Sequence, residues 1–265
     1  MPETAQAIGF ALFSWWFGTG LVFLVERWSR AASPMRVRAG IAAAAVAALY
    51  AVHRAGALPA PLGSYLGFSA GIGLWAALEL AFLSGWLIGP MPSGPVTHGL
   101  RHFARATRAL LYHELSLLAA LAAAWIATPG GGDPTAIWTL LSLWAMRESA
   151  KLNLHLGVRN TAVELLPPRL DHLRGYFGSA PINPLWPISI GVSVIVEAWL
   201  LRTAVGAEAG SAIRIPEILV ATLLALGTLE HVMLVLPIRP DLLWRWATRR
   251  RPPPSSPAGI RIGGC

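Results

Sequence analysis

Long apolar stretches, rather than short alternating ones, dominate this sequence. A helix needs about 20 mainly apolar residues to cross the roughly 30 Å hydrocarbon core of a bilayer, because each residue rises about 1.5 Å. A helix also bonds its own backbone groups, which lipid cannot do. Stretches near this length occupy residues 7–26, 37–56, 64–89, 106–128, 135–156, 184–204 and 215–237. The pattern predicts an all-α, polytopic membrane bundle with about seven transmembrane helices.

The second of these stretches gives the weakest signal. Its apolar centre, from Gly40 to Val52, is short and rich in Ala. A re-entrant or surface segment is therefore the alternative to a full crossing at residues 37–56.

Positive residues between the stretches predict the orientation of the chain. Lys and Arg near the ends of spans are retained on the cytoplasmic side of a membrane. Most of the 21 Lys and Arg fall in the first, third and fifth connections and in the tail, whereas the other side carries only Arg54, Arg202 and Arg214. This asymmetry predicts an N-terminus outside, a cytoplasmic C-terminus and an odd number of crossings.

The amino-acid composition is typical of a membrane protein, and the distribution of charge indicates which kind of partner to expect. Apolar residues make up 55% of the 265 residues and charged residues 13%, against roughly 25% charged in ordinary soluble proteins. The net charge of +8 is spread over several stretches without a nucleic-acid recognition motif, so membrane lipid is the expected partner and nucleic acid is not. Arg101, Arg105 and Arg108 share one helix face and are expected to contact lipid phosphates. The single Cys, Cys265, leaves no internal disulfide.

Two segments outside the predicted spans have recognisable patterns: the end of the chain and the connection after the fifth span. Residues 1–247 are expected to form the transmembrane domain, and residues 248–265 a disordered, Pro-rich, basic cytoplasmic tail. In the connection after the fifth span, Leu170, Leu173 and Phe177 recur at helical spacing. This spacing suits either a short helix in the membrane interface or a surface helix packed on the bundle.

Ionisable and amide side chains also occur inside the predicted spans. Each costs several kcal/mol on a lipid-facing surface, so such groups are expected to point inward and pair. From their positions along the spans they are expected to form one layer between the bilayer centre and the cytoplasmic side. Its predicted members are Glu79, His113, Glu114, Arg147, Glu148, Lys151, Asn153, His155, Glu197, Glu230 and His231.

Three roles for this layer remain open from the residues alone. It can be a buried polar network that fixes helix packing. It can be a metal or pigment site, for which His113 and His231 are the ligand candidates. It can be a proton or ion pathway through Glu79, Glu197 and Glu230. The layer holds five carboxylates and two fixed cations, so something must offset the excess negative charge. No nucleophile motif, phosphate loop or dinucleotide fingerprint occurs, so an enzyme has little motif support.

Several runs of residues resemble the PuhE family, the photosynthetic complex assembly proteins of purple bacteria. The resemblance covers most of the chain, from about Trp15 to Trp246, and the run in the fifth span is its most specific part. These runs are WAALELAFLSG at residues 75–85, LYHEL at 111–115, MRESAKLN at 146–153, LGVRN at 156–160, NPLWP at 183–187 and LEH at 229–231. His155 stands where the family pattern has Phe.

The resemblance implies a multi-pass protein of the bacterial photosynthetic cytoplasmic membrane. Its implied role is a non-enzymatic assembly factor for the photosynthetic reaction centre and light-harvesting complex, with photosynthetic complex subunits as partners. The alternative is a pigment- or metal-handling protein in bacteriochlorophyll supply, with bacteriochlorophyll or a precursor as its ligand. No catalytic or ligand residue carries over from the resemblance.

Overall fold

The described part of the chain is a bundle of helices. The computed structural model of the protein describes residues 2–90, 99–162, 165–208, 211–237 and 240–248. Among these residues there is no strand. The long helices are α1 (Pro2–Ser29), α2 (Pro34–Gly56), α3 (Leu62–Leu83), α4 (Gly99–Ala127), α5 (Thr135–Leu156), α6 (Leu185–Gly206) and α7 (Arg214–Met233). The predicted all-α membrane bundle is thereby confirmed.

Six of these helices, all except α5, are long and apolar enough to cross a membrane. Helix α5 is 22 residues long but carries Arg147, Glu148 and Lys151. Its surroundings compensate for these charges, since it packs against α3, α4, α6 and α7. A seventh crossing at α5 and the predicted orientation of the termini stay predictions.

Helix α2 is continuous over its 23 residues and packs along α3. A re-entrant segment would break near its middle, so this alternative for residues 37–56 does not fit the structure. A cluster that includes Val52, Leu74 and Ala124 joins α2 to α3 and α4.

Helices α3 and α7 are the most buried of the candidate spans, whereas α1, α2 and α6 lie at the periphery. Small residues allow the close packing at the centre: a Cβ on Gly71 of α3 would lie 2.9 Å from Cβ of Thr139 on α5. The outer face of α6 exposes large apolar side chains, among them Ile195, Trp199 and Val205. Such a surface contacts lipid, as expected for a multi-pass membrane protein.

Helix α3 ends six residues before the predicted span, which extended to residue 89. The chain turns at Gly85, whose φ of 79° lies in the left-handed region. The backbone N–H of Gly89 then donates to the carbonyl of Ala109 on α4, over 2.8 Å. Turn chemistry therefore ends the helix although the sequence remains apolar.

The connection between α5 and α6 contains a 3-10 helix, Pro168–Tyr176. Leu170 and Leu173 are buried against Phe82 and Leu83 of α3 and Ala109 of α4. Of the two interpretations of this connection, the one with a surface helix packed on the bundle agrees with these contacts.

The end of the described chain packs against α1. A 3-10 helix, Pro240–Trp244, leads into a short helix α8, Arg245–Thr248. The indole of Trp244 donates to the carbonyl of Trp16, and the indole of Trp16 donates to the carbonyl of Leu243, each over 3.0 Å. We call residues 240–248 the C-terminal segment. Apart from Thr248, the predicted disordered tail lies outside the described residues, and its domain boundary stays a prediction.

Candidate functional site

Helix α5 carries the centre of the predicted polar layer. Its Arg147 donates from Nη2 to Oε2 of Glu79 on α3, over 3.1 Å. Oε1 of the same carboxylate lies 3.6 Å from Nε2 of His113 on α4. The His113 side chain is fully buried, and its ring lies against the ring of Phe82, with centroids 4.6 Å apart. These contacts bring side chains from α3, α4 and α5 together.

A second cluster lies one turn further along α5. The ammonium of Lys151 donates to Oε1 of Glu148 over 2.7 Å and to Oε1 of Glu114 on α4. The side chains of Lys151 and Glu114 are 18% and 19% exposed, so water screens this pair only in part. One cation thus lies between two carboxylates and ties α4 to α5.

A third cluster connects α5 to α6 and α7 through neutral groups. The Ser149 hydroxyl lies 2.8 Å from the Ser189 hydroxyl and 2.9 Å from Nε2 of His231. Nδ1 of His231 lies 2.9 Å from the carbonyl of Gly227. Because a carbonyl only accepts, the neutral imidazole carries its proton on Nδ1, and Nε2 accepts from Ser149. Asn153 donates from Nδ2 to the Ser189 hydroxyl over 3.1 Å.

Two predicted members lie apart from these three clusters. Glu197 of α6 is half-buried and accepts from the Thr228 hydroxyl of α7 over 2.5 Å. Glu230 lines the cavity described below, and among the described residues no Lys, Arg or His nitrogen lies within 4.0 Å of its carboxylate. The layer is therefore a set of separate clusters around α5, with two outlying carboxylates.

This arrangement shows where the excess negative charge lies. Arg147 balances Glu79, while Lys151 faces two carboxylates. The remaining unmatched carboxylates are Glu197 and Glu230. The excess negative charge is thus divided among three places. Among the described residues, no group of three or more His, Cys, Asp or Glu side chains is arranged to hold a metal ion.

A half-open cavity of about 440 Å³ lies between the helices, and Glu79 and Arg147 of the first cluster form part of its lining. Its walls come from α1, α3, α4, α5 and α7, from the connection after α5 and from the C-terminal segment. Most of its lining is apolar or aromatic, and Arg147, Lys151, Glu230 and His231 are among its few polar residues. Pockets with this size and this mixture of groups are typical of small-molecule sites.

The two predicted ligand histidines differ in their access to this cavity. His113 is fully buried beside Phe82 and is absent from the cavity lining. His231 lines the cavity, but both ring nitrogens already have hydrogen-bond partners. His155 also lines it, with Nδ1 lying 3.1 Å from the carbonyl of Tyr176. Metal or pigment ligation by His113 or His231 would require these contacts to rearrange.

The predicted basic face of α4 lies at the beginning of that helix. Arg101 and Arg108 are exposed and Arg105 is half-buried. Contact of these residues with lipid phosphates stays a prediction.

Glu26 is a buried charge that the sequence pattern did not reveal. It is 4% exposed at the end of α1 and accepts hydrogen bonds from Arg30, the shortest over 2.8 Å. Arg169 of the 3-10 helix reaches the same carboxylate over 3.4 Å and donates to the carbonyl of Ser84 over 2.7 Å. The spacing of Glu26 and Arg30, four residues apart on a helix, was the available signal. The contact with Arg169 depends on the fold.

Comparison with known proteins gives a family for the chain. A protein of Rhodobacter capsulatus, named "Uncharacterized 30.4 kDa protein in puhA 5'region", is 33% identical over 240 residues, which cover 89% of this chain and 87% of that protein. No solved structure matches. The family described as "Protein of unknown function (DUF3623)" matches residues 1–255. With both matches spanning most of its length, the chain belongs to the DUF3623 family.

Proposed function

We propose that this protein is a non-enzymatic assembly factor in the bacterial photosynthetic membrane, where it supports biogenesis of the reaction centre and light-harvesting complex. The PuhE-like runs imply this role. The name of the Rhodobacter capsulatus relative, which refers to the puhA 5' region, supports it. The partners are then subunits of those complexes, and the contacts between them and this protein lie within the membrane.

The position of Lys151 is the observation that most favours a non-enzymatic role. Its ammonium forms ion pairs with Glu114 and Glu148. One nitrogen of the Arg147 guanidinium pairs with Glu79. Paired charges of this kind hold helices in register, and they leave few polar groups to act on a substrate. The polar layer is accordingly assigned the role of fixing the packing of α3, α4 and α5.

The other two roles for the layer have less support from the geometry. A metal or pigment site at His113 and His231 needs accessible ring nitrogens, and those rings are buried or already bonded. A relay through Glu79, Glu197 and Glu230 needs a connected chain of groups, but the hydrogen bond of Glu197 is with Thr228 of α7 and not with Glu79 or Glu230. The packing role therefore accounts for more of the contacts.

Deletion of the gene in the organism that carries it tests the function. We expect reaction-centre and light-harvesting subunits to be made at normal rates but to yield fewer assembled complexes, measured by absorption of intact membranes and by native gels. Expression of the wild-type chain should restore the yield. An unchanged yield of complexes would contradict the proposal.

Two measurements separate assembly from pigment supply. Crosslinking in membranes that are making new complexes should connect this chain to a complex subunit. Pigment precursors should not accumulate before the loss of complexes. If precursors accumulate first and no subunit is crosslinked, pigment handling replaces assembly as the function. An absorption spectrum and a metal analysis of the protein purified in mild detergent test independently whether it binds a pigment or a metal ion.

A further inference from the structure

The cavity between the helices combines apolar walls with two cations, Arg147 and Lys151, and two carboxylates, Glu79 and Glu230. Aromatic side chains from separate elements line it, among them Trp15 of α1, Trp75 of α3 and Trp244 of the C-terminal segment. Apolar groups of this kind favour a hydrophobic occupant over water. The cavity volume, about 440 Å³, fits a small molecule rather than a protein segment.

Of the two cations that line the cavity, Lys151 is paired with Glu114 and Glu148, so Arg147 is the one with donors left for an occupant. Its side chain is 41% exposed although α5 has helices around it, because it faces the cavity. One Nη atom donates to Glu79. The guanidinium has five N–H donors, so others remain for an acceptor in the cavity.

Glu230 is the carboxylate of the cavity that has no cation beside it. Glu79 is paired with Arg147, whereas no described Lys, Arg or His nitrogen lies within 4.0 Å of the Glu230 carboxylate. Glu230 lies on the wall contributed by α7, where the indole of Trp15 is its hydrogen-bond donor. A carboxylate in apolar surroundings needs a hydrogen-bond donor or a cation to offset its lost hydration. A carboxylate accepts more than one hydrogen bond, so an occupant of the cavity can supply a further donor beside Trp15.

We propose that the cavity binds an uncharged hydrophobic molecule that ends in a hydroxyl group. The hydroxyl oxygen accepts from Arg147 and its hydrogen is donated to Glu230, so one polar group serves both charges. An anionic end is repelled by Glu230, and a cationic end is repelled by Arg147. The hydrocarbon part lies against the apolar wall between α1, α3 and α7.

Three brominated probes with the same chain test this assignment. They are 12-bromo-1-dodecanol, 12-bromododecanoic acid and 12-bromododecylammonium, added to the protein in phosphatidylcholine nanodiscs at about pH 8.5, where most of the bilayer-bound acid is ionised and the amine is protonated. Bromine quenches nearby indoles, and Trp15, Trp75 and Trp244 line the cavity. We expect the alcohol to quench a saturable part of the fluorescence with about tenfold higher apparent affinity than either charged probe, the effect of one charge-assisted hydrogen bond.

A bulky side chain in the cavity provides a structural test. Ala150→Phe places a ring in the lining of α5 and should abolish the saturable quenching. Ala198→Phe makes the same change on the exposed face of α6 and should leave it unchanged. Both variants are compared by circular dichroism and size-exclusion elution. Saturable quenching that survives in a folded Ala150→Phe variant would place the site elsewhere and overturn the proposal.

A near-isosteric variant keeps the test decisive if Ala150→Phe does not fold. Glu230→Gln removes the repulsion of anions and should raise the affinity for the fatty acid at least threefold, while that for the alcohol falls. If all three probes quench the wild-type protein with equal affinity, only the hydrocarbon chain is recognised and the assignment of a hydroxyl group is wrong. This binding test needs no photosynthetic partner, so its outcome is separate from that of the deletion experiment.

Discussion

The ammonium of Lys151 on α5 donates a hydrogen bond to the carboxylate of Glu114 on α4. The two residues are 37 positions apart in the sequence, and Lys151 also bonds to Glu148 on its own helix. Lys151 thereby pairs with two carboxylates. These pairings stabilise α5 inside the bundle, since this helix is too polar to face lipid.

Lys151→Ala is expected to destabilise the protein strongly. The substitution leaves Glu114 and Glu148 without their cation in a mostly buried place, and breaking such a pair costs about 3–5 kcal/mol. The measurement is the amount of folded protein in membranes and its thermal denaturation in detergent. Arg101→Ala is the control, because it removes one exposed charge and should cost less than about 1 kcal/mol. Equal levels of the two variants would count against the role given to Lys151.

Ser149→Ala tests the neutral cluster between α5, α6 and α7. It removes the hydroxyl that lies between Ser189 and His231, and the imidazole Nε2 loses its donor. We expect a loss of about 1–3 kcal/mol, the usual cost of an unsatisfied buried group. Ser116→Ala is the matched control, since that exposed hydroxyl bonds only to the carbonyl of Tyr112 one turn earlier. Denaturation midpoints that fall equally for both variants would contradict the prediction.

Gly20→Ala is expected to displace the C-terminal segment from α1. A Cβ at this position would lie 2.1 Å from Cζ2 of Trp246, so the indole must move. We expect faster cleavage of the segment by chymotrypsin. Gly9→Ala is the control on the same helix, because its Cβ would meet nothing within 4 Å. If both variants are cleaved at the wild-type rate, Trp246 does not depend on Gly20 for its position.

Glu26→Gln is expected to loosen the connection between α5 and α6. The carboxylate is buried and is shared by Arg30 and Arg169, so the amide leaves two cations without a negative partner. We expect faster hydrogen exchange in residues 168–176, with a smaller effect at α7. Glu3→Gln is the control, since Glu3 is exposed in the first turn of the same helix. Unchanged exchange in the 3-10 helix would show that Arg169 does not need this carboxylate.

The helices and the polar character of α5 could be predicted from the amino-acid sequence. Apolar length and the rise of a helix are local properties, so residues 37–56 could be assigned to a helix before any packing was known. The high cost of a charge in lipid likewise predicted that Glu79, Arg147 and Lys151 would point inward and pair.

Which polar groups pair depends on how the helices pack, and this could not be predicted from the sequence. The rotation of each helix about its axis and its choice of neighbours depend on packing between distant residues, such as Gly71 against Thr139. Packing placed Glu197 and Glu230 apart from the clusters, buried Glu26 beneath Arg169 and opened the cavity between α1, α3, α5 and α7. A hydrophobicity pattern records how much of a helix is apolar, but it does not record which partner each polar side chain meets.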